Sequence, residues 1–542
     1  MYTYPMTPTP FNNIAVSLSG GGYRATTFHL GALSLMNALD YGEETLLERV
    51  SILSTISGGT LTGVMYALQL AEGKGFRECF NKLYFLLEED KLVERALHKL
   101  NTPDNWKNAH KSRDVINAFA EVYNEHFYEG ATFANLYDGD TGHLNDIIFG
   151  ASEFTTGIQF RFQRAHEDEL FGNGNLNLPR EAAREIRLAD AAASSSCFPG
   201  GFEPMIMPKD YGNGPDSKVD RAWNDQEHEP TTAIMDGGIL DNQGIEGVKL
   251  AERRHVADGI GLIGTYIISD VSGEIMEPLE VPELEYSRLG NFLTFRSINL
   301  VAGLVMAAAV ALLFVWDAPP WDIVLVSVLG TLIVAWFAFF VSARRVFIRE
   351  VSKTFAGGQL PEILKDFGVL TRTPIYVLFY LIKFRGLSVL KMVMDVFLRR
   401  IRRLQLDALF ASLKWNGRVK TNNIYKLKGS RLNEIGSKMI RVIDHANKMP
   451  TTLWFSEEEK REHMLDDLIA AGQCTLCYNL ISYIEQLPKK TYNGHNIWET
   501  VGEEDREKIE VLKKQLDNYW IDFTKDPYWL LNMDKSNTGE EV

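Results

Sequence analysis

Apolar residues fall along this chain in two kinds of run. The short kind is β-branched and ends abruptly in glycine. Ile14–Leu18 runs into Ser19-Gly20-Gly21-Gly22-Tyr23-Arg24, Val50–Ile56 into Ser57-Gly58-Gly59, and Ala233–Met235 into Asp236-Gly237-Gly238. Such runs bounded by turn residues predict buried strands. After Ser57, Leu61, Val64, Met65, Leu68 and Leu70 recur at helical spacing, so the serine stands on a turn between strand and helix. Ile260–Ile268 reads as a further buried strand. The long kind occurs twice. Ile298–Trp316 contains one polar residue, Asn299, in 19, and Trp321–Ala343 is nearly as apolar. Each is long enough to cross a hydrocarbon layer of about 30 Å.

The three glycine-rich strand ends carry the candidate chemistry. Consecutive glycines after a strand leave backbone N–H groups bare, which suits a phosphate or a developing oxyanion. A serine on a strand-to-helix turn has its oxygen lifted above the sheet, as in the G-x-S-x-G elbow, although Thr55 occupies the first glycine position here. Asp236, at the end of its strand, offers a carboxylate.

In this order the segments resemble the motifs of the patatin-like phospholipase family. Ala192-Ala193-Ser194-Ser195-Ser196-Cys197-Phe198-Pro199-Gly200 adds a fourth match, and the resemblance spans about residues 12–275. Ser19, where many members have Asp, and Thr55 depart from the pattern. The resemblance implies an α/β fold, a three-layer α/β/α arrangement around a central sheet. It also implies a Ser57–Asp236 dyad, an oxyanion hole from Gly20, Gly21 and Gly22, and Arg24 as partner of a lipid phosphate. No cofactor and no metal are implied.

Two other readings fit parts of the pattern. Ser57, Asp236 and His255 follow the chain order of an α/β-hydrolase triad, but Lys249–His255 reads as the polar side of a helix, which predicts a solvated histidine. Gly20-x-Gly22-x-x-Ala25 fits a dinucleotide fingerprint, but the next strand ends in Ser54-Thr55 without the carboxylate a ribose requires. His29, on the first helix, is expected as a packing or surface residue.

Charge changes the reading of the second half. Residues 344–430 hold 18 Lys and Arg against 5 Asp and Glu, although the whole chain carries −15. A basic block beside apolar spans predicts attraction to anionic lipid. Within it, 374–384 and 387–406 read as interfacial amphipathic helices, and their apolar content argues against nucleic acid. Asp317-Ala318-Pro319-Pro320 between the two spans predicts a turn, and Trp316 and Trp321 flank it as interfacial aromatics. Arginines at 296, 344, 345 and 349 place both outer ends in the cytoplasm.

At 542 residues several domains are expected. They are a catalytic domain over 1–290, a transmembrane hairpin over 291–347, a basic membrane-proximal segment over 348–430 and a helical region over 431–542. Met207–Pro230 is expected as a lid or surface loop. Ser456-Glu457-Glu458-Glu459 is a capping box that opens the helix holding Cys474 and Cys477, which are expected to be packed rather than to bind zinc. No secretory signal is expected.

The sequence thus predicts a membrane-anchored serine lipid acyl hydrolase with membrane phospholipids as substrate and anchor. Its expected place is the inner membrane of a bacterium, with the catalytic domain cytoplasmic. The alternatives are a signalling or defence effector switched on by a partner or small molecule, or working as a homo-oligomer, and a triad esterase using His255.

Overall fold

A computed structural model describes residues 7–102, 106, 109–165, 171–212, 214, 216–225, 231–274, 278–284, 286–315, 320–354, 371–428 and 436–536. The chain divides into two compact units, 1–276 with 394–542, and 277–393.

The first unit is built on a ten-stranded mixed sheet. Its strands are β1 (Ile14–Leu18), β2 (Val50–Ile56), β3 (Asp146–Glu153), β4 (Gln159–Arg164), β5 (Phe171–Gly172), β6 (Asn177–Leu178), β7 (Met205–Met207), β8 (Thr232–Asp236), β9 (Thr265–Asp270) and β10 (Val419–Asn423). The main order is β10-β9-β1-β2-β3-β4-β5-β6, and β8 pairs antiparallel with β3 and β7. The pairs β10/β9, β9/β1, β1/β2 and β2/β3 are parallel.

Side chains alternate between two cores, as the pleat requires. Val16, Leu18, Leu53, Phe149 and Ile267 face the larger core. It is shared with α1 (Gly22–Ala38), α2 (Gly58–Ala71), α3 (Leu188–Ser196) and a long C-terminal helix. Ala15, Ile52, Ile148, Tyr266 and Ile268 face the other core. That face is covered by α5 (Ile245–Ala257), which follows the short α4 (Gly238–Asp241), and by α9 (Leu398–Ala411). Helices therefore lie on both faces of the sheet.

Four sequence expectations change. The basic segment is not a unit of its own, because β10 extends the sheet beside β9 and α9 packs beneath it. Residues 431–542, expected as a helical region of their own, belong to the first unit. Their long helix, α10 (Met464–Gln486), crosses α1 where Gly31 meets the Ile469 carbonyl and Gly472 meets the Phe28 carbonyl. Two glycines let the backbones approach this closely. Within the expected lid or surface loop, the described residues include a helix, Lys218–Asn224, which its fully buried Trp223 anchors as framework. Ser456 and Glu459 do form a capping box, but it opens the short helix Glu457–Arg461. His463, in the left-handed conformation, separates that turn from α10. Cys474 and Cys477 are free and buried within α10.

The second unit contains α6 (Phe295–Val315), α7 (Pro320–Thr354) and α8 (Ile375–Lys391). Asn299, the one polar residue of the first apolar run, accepts a hydrogen bond from Trp336 Nε1 at 2.9 Å. Leu300, Leu304, Leu332 and Phe339 are more than 60% exposed. Among the described residues no helix is long and apolar enough to cross a membrane. The side chains at 309–310 and 312–323, and the expected turn at 317–319, lie outside the described residues.

Candidate active site

The carboxyl ends of β1, β2 and β8 meet at one edge of the sheet. Leu18 pairs with Thr55, Ile56 with Gly150, and Asp236 with Ala151. The glycine loop, Ser57 and Asp236 are thereby brought together across neighbouring strands.

Ser57 has φ 51° and ψ −123°, a backbone conformation rarely adopted by a side-chain-bearing residue. The strand-to-helix turn imposes it. The Ser57 N–H donates to Ser195 Oγ at 2.9 Å, and Ser195 Oγ donates to the Gly150 carbonyl at 2.7 Å. Thr60 Oγ1 lies 2.8 Å from Ser195 Oγ and 3.0 Å from Thr55 Oγ1. With the Ser195 proton on Gly150, the hydroxyl chain runs Thr55 to Thr60 to Ser195. Ser195 was visible in the sequence as part of a small-residue motif, but nothing there gave it the elbow as partner. Thr55 fits where glycine is usual because Gly63 faces it. A Cβ at Gly63 would come within 2.5 Å of Thr55 Cγ2.

Asp236 is buried, and the Ser57 side chain acts on its carboxylate. Its Oδ1 also accepts the Gly238 N–H at 2.6 Å. Its backbone is fixed by Ser152 Oγ on its carbonyl, 2.8 Å, and by its own N–H on the Cys197 carbonyl, 3.0 Å. Burial pushes its carboxyl up to about 6, against the opposing pull of the Gly238 amide and Ser57.

The glycine loop is pinned on one side. The Ser19 N–H donates to Ser269 and the Gly20 N–H to the Asn242 carbonyl, at 3.0 and 3.1 Å. His29 is buried, bridging the Ser19 carbonyl and Ser269 Oγ, and desolvation lowers its imidazole to about 4. Gly20 is therefore corrected as an oxyanion donor, since its amide is engaged. It supplies room instead, because a Cβ there would sit 3.0 Å from Ser57 Cβ and 2.6 Å from Asn242 Oδ1. Among the described residues no acceptor takes the amides of Gly21 or Gly22. Gly21 at φ 145° and Gly22 at φ 57° hold conformations that favour glycine. The Gly22 nitrogen lies 2.8 Å from where a Cβ of Gly58, next to the serine, would stand.

Arg24 is not directed at an open anion site. Its Nη1 donates to the Met449 carbonyl at 2.8 Å. His255 is neither solvated nor part of a triad. It is fully buried, with Nε2 2.5 Å from Asp146 Oδ2, and Arg254 pairs with the same carboxylate. Asp146 begins β3, while Asp236 faces Ala151 five residues along it, about 16 Å away at a strand's rise. Asn242, unassigned from sequence, is buried between Gly20 and Gly238, and its Nδ2 has no partner among the described residues. Its signal was its place six residues after Asp236. Among the described residues no group of three His, Cys, Asp or Glu stands together as a metal site.

The family model described as patatin-like phospholipase matches residues 16–248. This part of the chain is a patatin-like phospholipase domain. No curated protein matches the chain. The patatin-like domain runs from β1 into α5 and so contains all three strand ends of the site. A patatin-like domain implies a lipid acyl hydrolase.

Proposed function

We propose that the protein is a membrane-anchored phospholipase A or lysophospholipase that uses a Ser57–Asp236 dyad. The observation that carries this is the buried Asp236 carboxylate brought by the sheet register beside a serine in a strained elbow. Ser57 Oγ attacks the acyl carbonyl while Asp236 takes its proton. The oxyanion settles on the Gly21 and Gly22 amides, which have no acceptor of their own among the described residues. Collapse expels the alcohol, which receives the proton from Asp236. Water, activated by the same carboxylate, then frees the fatty acid from Ser57.

Anchoring is supported by the second unit. The Asn299–Trp336 hydrogen bond satisfies the polar residue that the first apolar run contains. The exposed leucines and phenylalanine suit lipid better than water. The basic flanks orient the catalytic unit to the cytoplasmic leaflet, in a bacterium's inner membrane.

Two measurements test this reading. A fluorophosphonate probe should label the full chain at Ser57 and fail to label S57A. The protein should stay in the membrane pellet after alkaline carbonate wash. Labelling retained in S57A would reject the nucleophile, and release by carbonate would reject the hairpin.

A further inference from the structure

The glycine loop is held on its second side by a segment outside the family domain. The Tyr23 N–H donates to the Thr452 carbonyl at 2.7 Å. Arg24 Nη1 donates to the Met449 carbonyl at 2.8 Å. A Cβ on Gly22 would overlap the Thr452 carbonyl, so the two backbones lie in direct contact. The segment is anchored at its far end as well. The Phe455 ring packs on Tyr23 with centroids 5.5 Å apart, and its N–H donates to Asp90 Oδ2 at 3.2 Å. Lys460 holds that carboxylate at 2.9 Å.

The arrangement is a clamp. Asn242 takes the amide of Gly20, Thr452 takes that of Tyr23, and the amides of Gly21 and Gly22 between them stay without an acceptor among the described residues. Two glycines with positive φ do not hold such a geometry by themselves. Oxyanion donors must be held within about 0.5 Å of their working position. We propose that the segment Met449–Phe455 positions the glycine loop for acyl transfer, and that Arg24 is the positioning residue that fastens it. This rests on the reading of Ser57 and the loop as hydrolytic. It moves Arg24 from phosphate recognition to loop support and gives the C-terminal region a part in catalysis.

The test compares full-length wild type, R24A, R24K and P450G on two substrates, phosphatidylglycerol vesicles and p-nitrophenyl butyrate. Pro450 is exposed, and its replacement loosens the segment without touching Arg24. A misplaced donor predicts kcat about 10- to 100-fold lower in R24A and P450G on both substrates, with KM within about 2-fold. R24K keeps most of the rate, because an ammonium can donate to the same carbonyl. Amide exchange at Tyr23 gives a readout independent of turnover and should accelerate in R24A and P450G. A defect confined to the phospholipid, with raised KM, would overturn the proposal and return Arg24 to the head group. Wild-type kcat and wild-type exchange in both variants would also overturn it. Absence of Ser57-dependent turnover in wild type would reject the hydrolase reading instead, and exchange would still decide the clamp.

Discussion

In the proposed dyad Asp236 works under two opposed demands. A general base must be ionised, yet the carboxylate is buried, with the Gly238 amide and Ser57 stabilising its charge. Its pKa near 6 sets a direction for activity, and kcat/KM should rise with pH through about 6 and level off above. The same shift sets a direction for stability. The folded value lies above the unfolded one, so the stabilising contribution is complete below about 4 and lost as pH rises through about 6. D236N should therefore be inactive yet more stable than wild type at pH 8, by about 2–3 kcal/mol, with the difference gone near pH 3. Denaturant titration at the two pH values measures it. Equal stability at pH 8 would mean that the carboxylate is better solvated than its burial implies. At this scale Ser57 and Asp236 were legible, because strand ends followed by glycine are a local signal. The partners of Gly20, Arg24 and His255 were not, because Asn242, Met449 and Asp146 lie far from them in sequence. His255 in particular sits in a polar-looking stretch of α5 that proves to face Asp146.

Among the elements, strands and helices with strong apolar periodicity appeared close to where they were expected. β10 did not. Val419–Asn423 is short and mostly polar, lies inside a basic stretch, and is a strand because the edge of β9 offers it a ladder. The crossing of α1 and α10 was equally hidden, since nothing local pairs Gly31 with Gly472. A methyl at either position would meet a carbonyl of the opposing helix. G31A and G472A should each lose about 1–3 kcal/mol, read as a lowered denaturation midpoint in the full chain. A wild-type midpoint in both would mean that the helices can separate at no cost.

On the scale of the whole molecule, the match over 16–248 marks less than the folded catalytic unit. β10, which extends the sheet, and α9 and α10, which cover its two faces, all come from beyond it. A chain ended at residue 276 should therefore be recovered insoluble. A chain in which a flexible linker replaces 277–393 should be soluble, hydrolyse p-nitrophenyl butyrate and leave the membrane fraction. Sedimentation with esterase assay separates these outcomes. Composition drew the domain boundaries at changes of charge and hydropathy, and a basic segment that joins an acidic unit's sheet defeats that signal. The most direct measurement is fatty-acid release from phosphatidylglycerol vesicles by the full chain, beside S57A and D236N. The account predicts release by wild type and a loss of at least about 1,000-fold in each variant. Release that survives in D236N while vanishing in S57A would contradict the dyad.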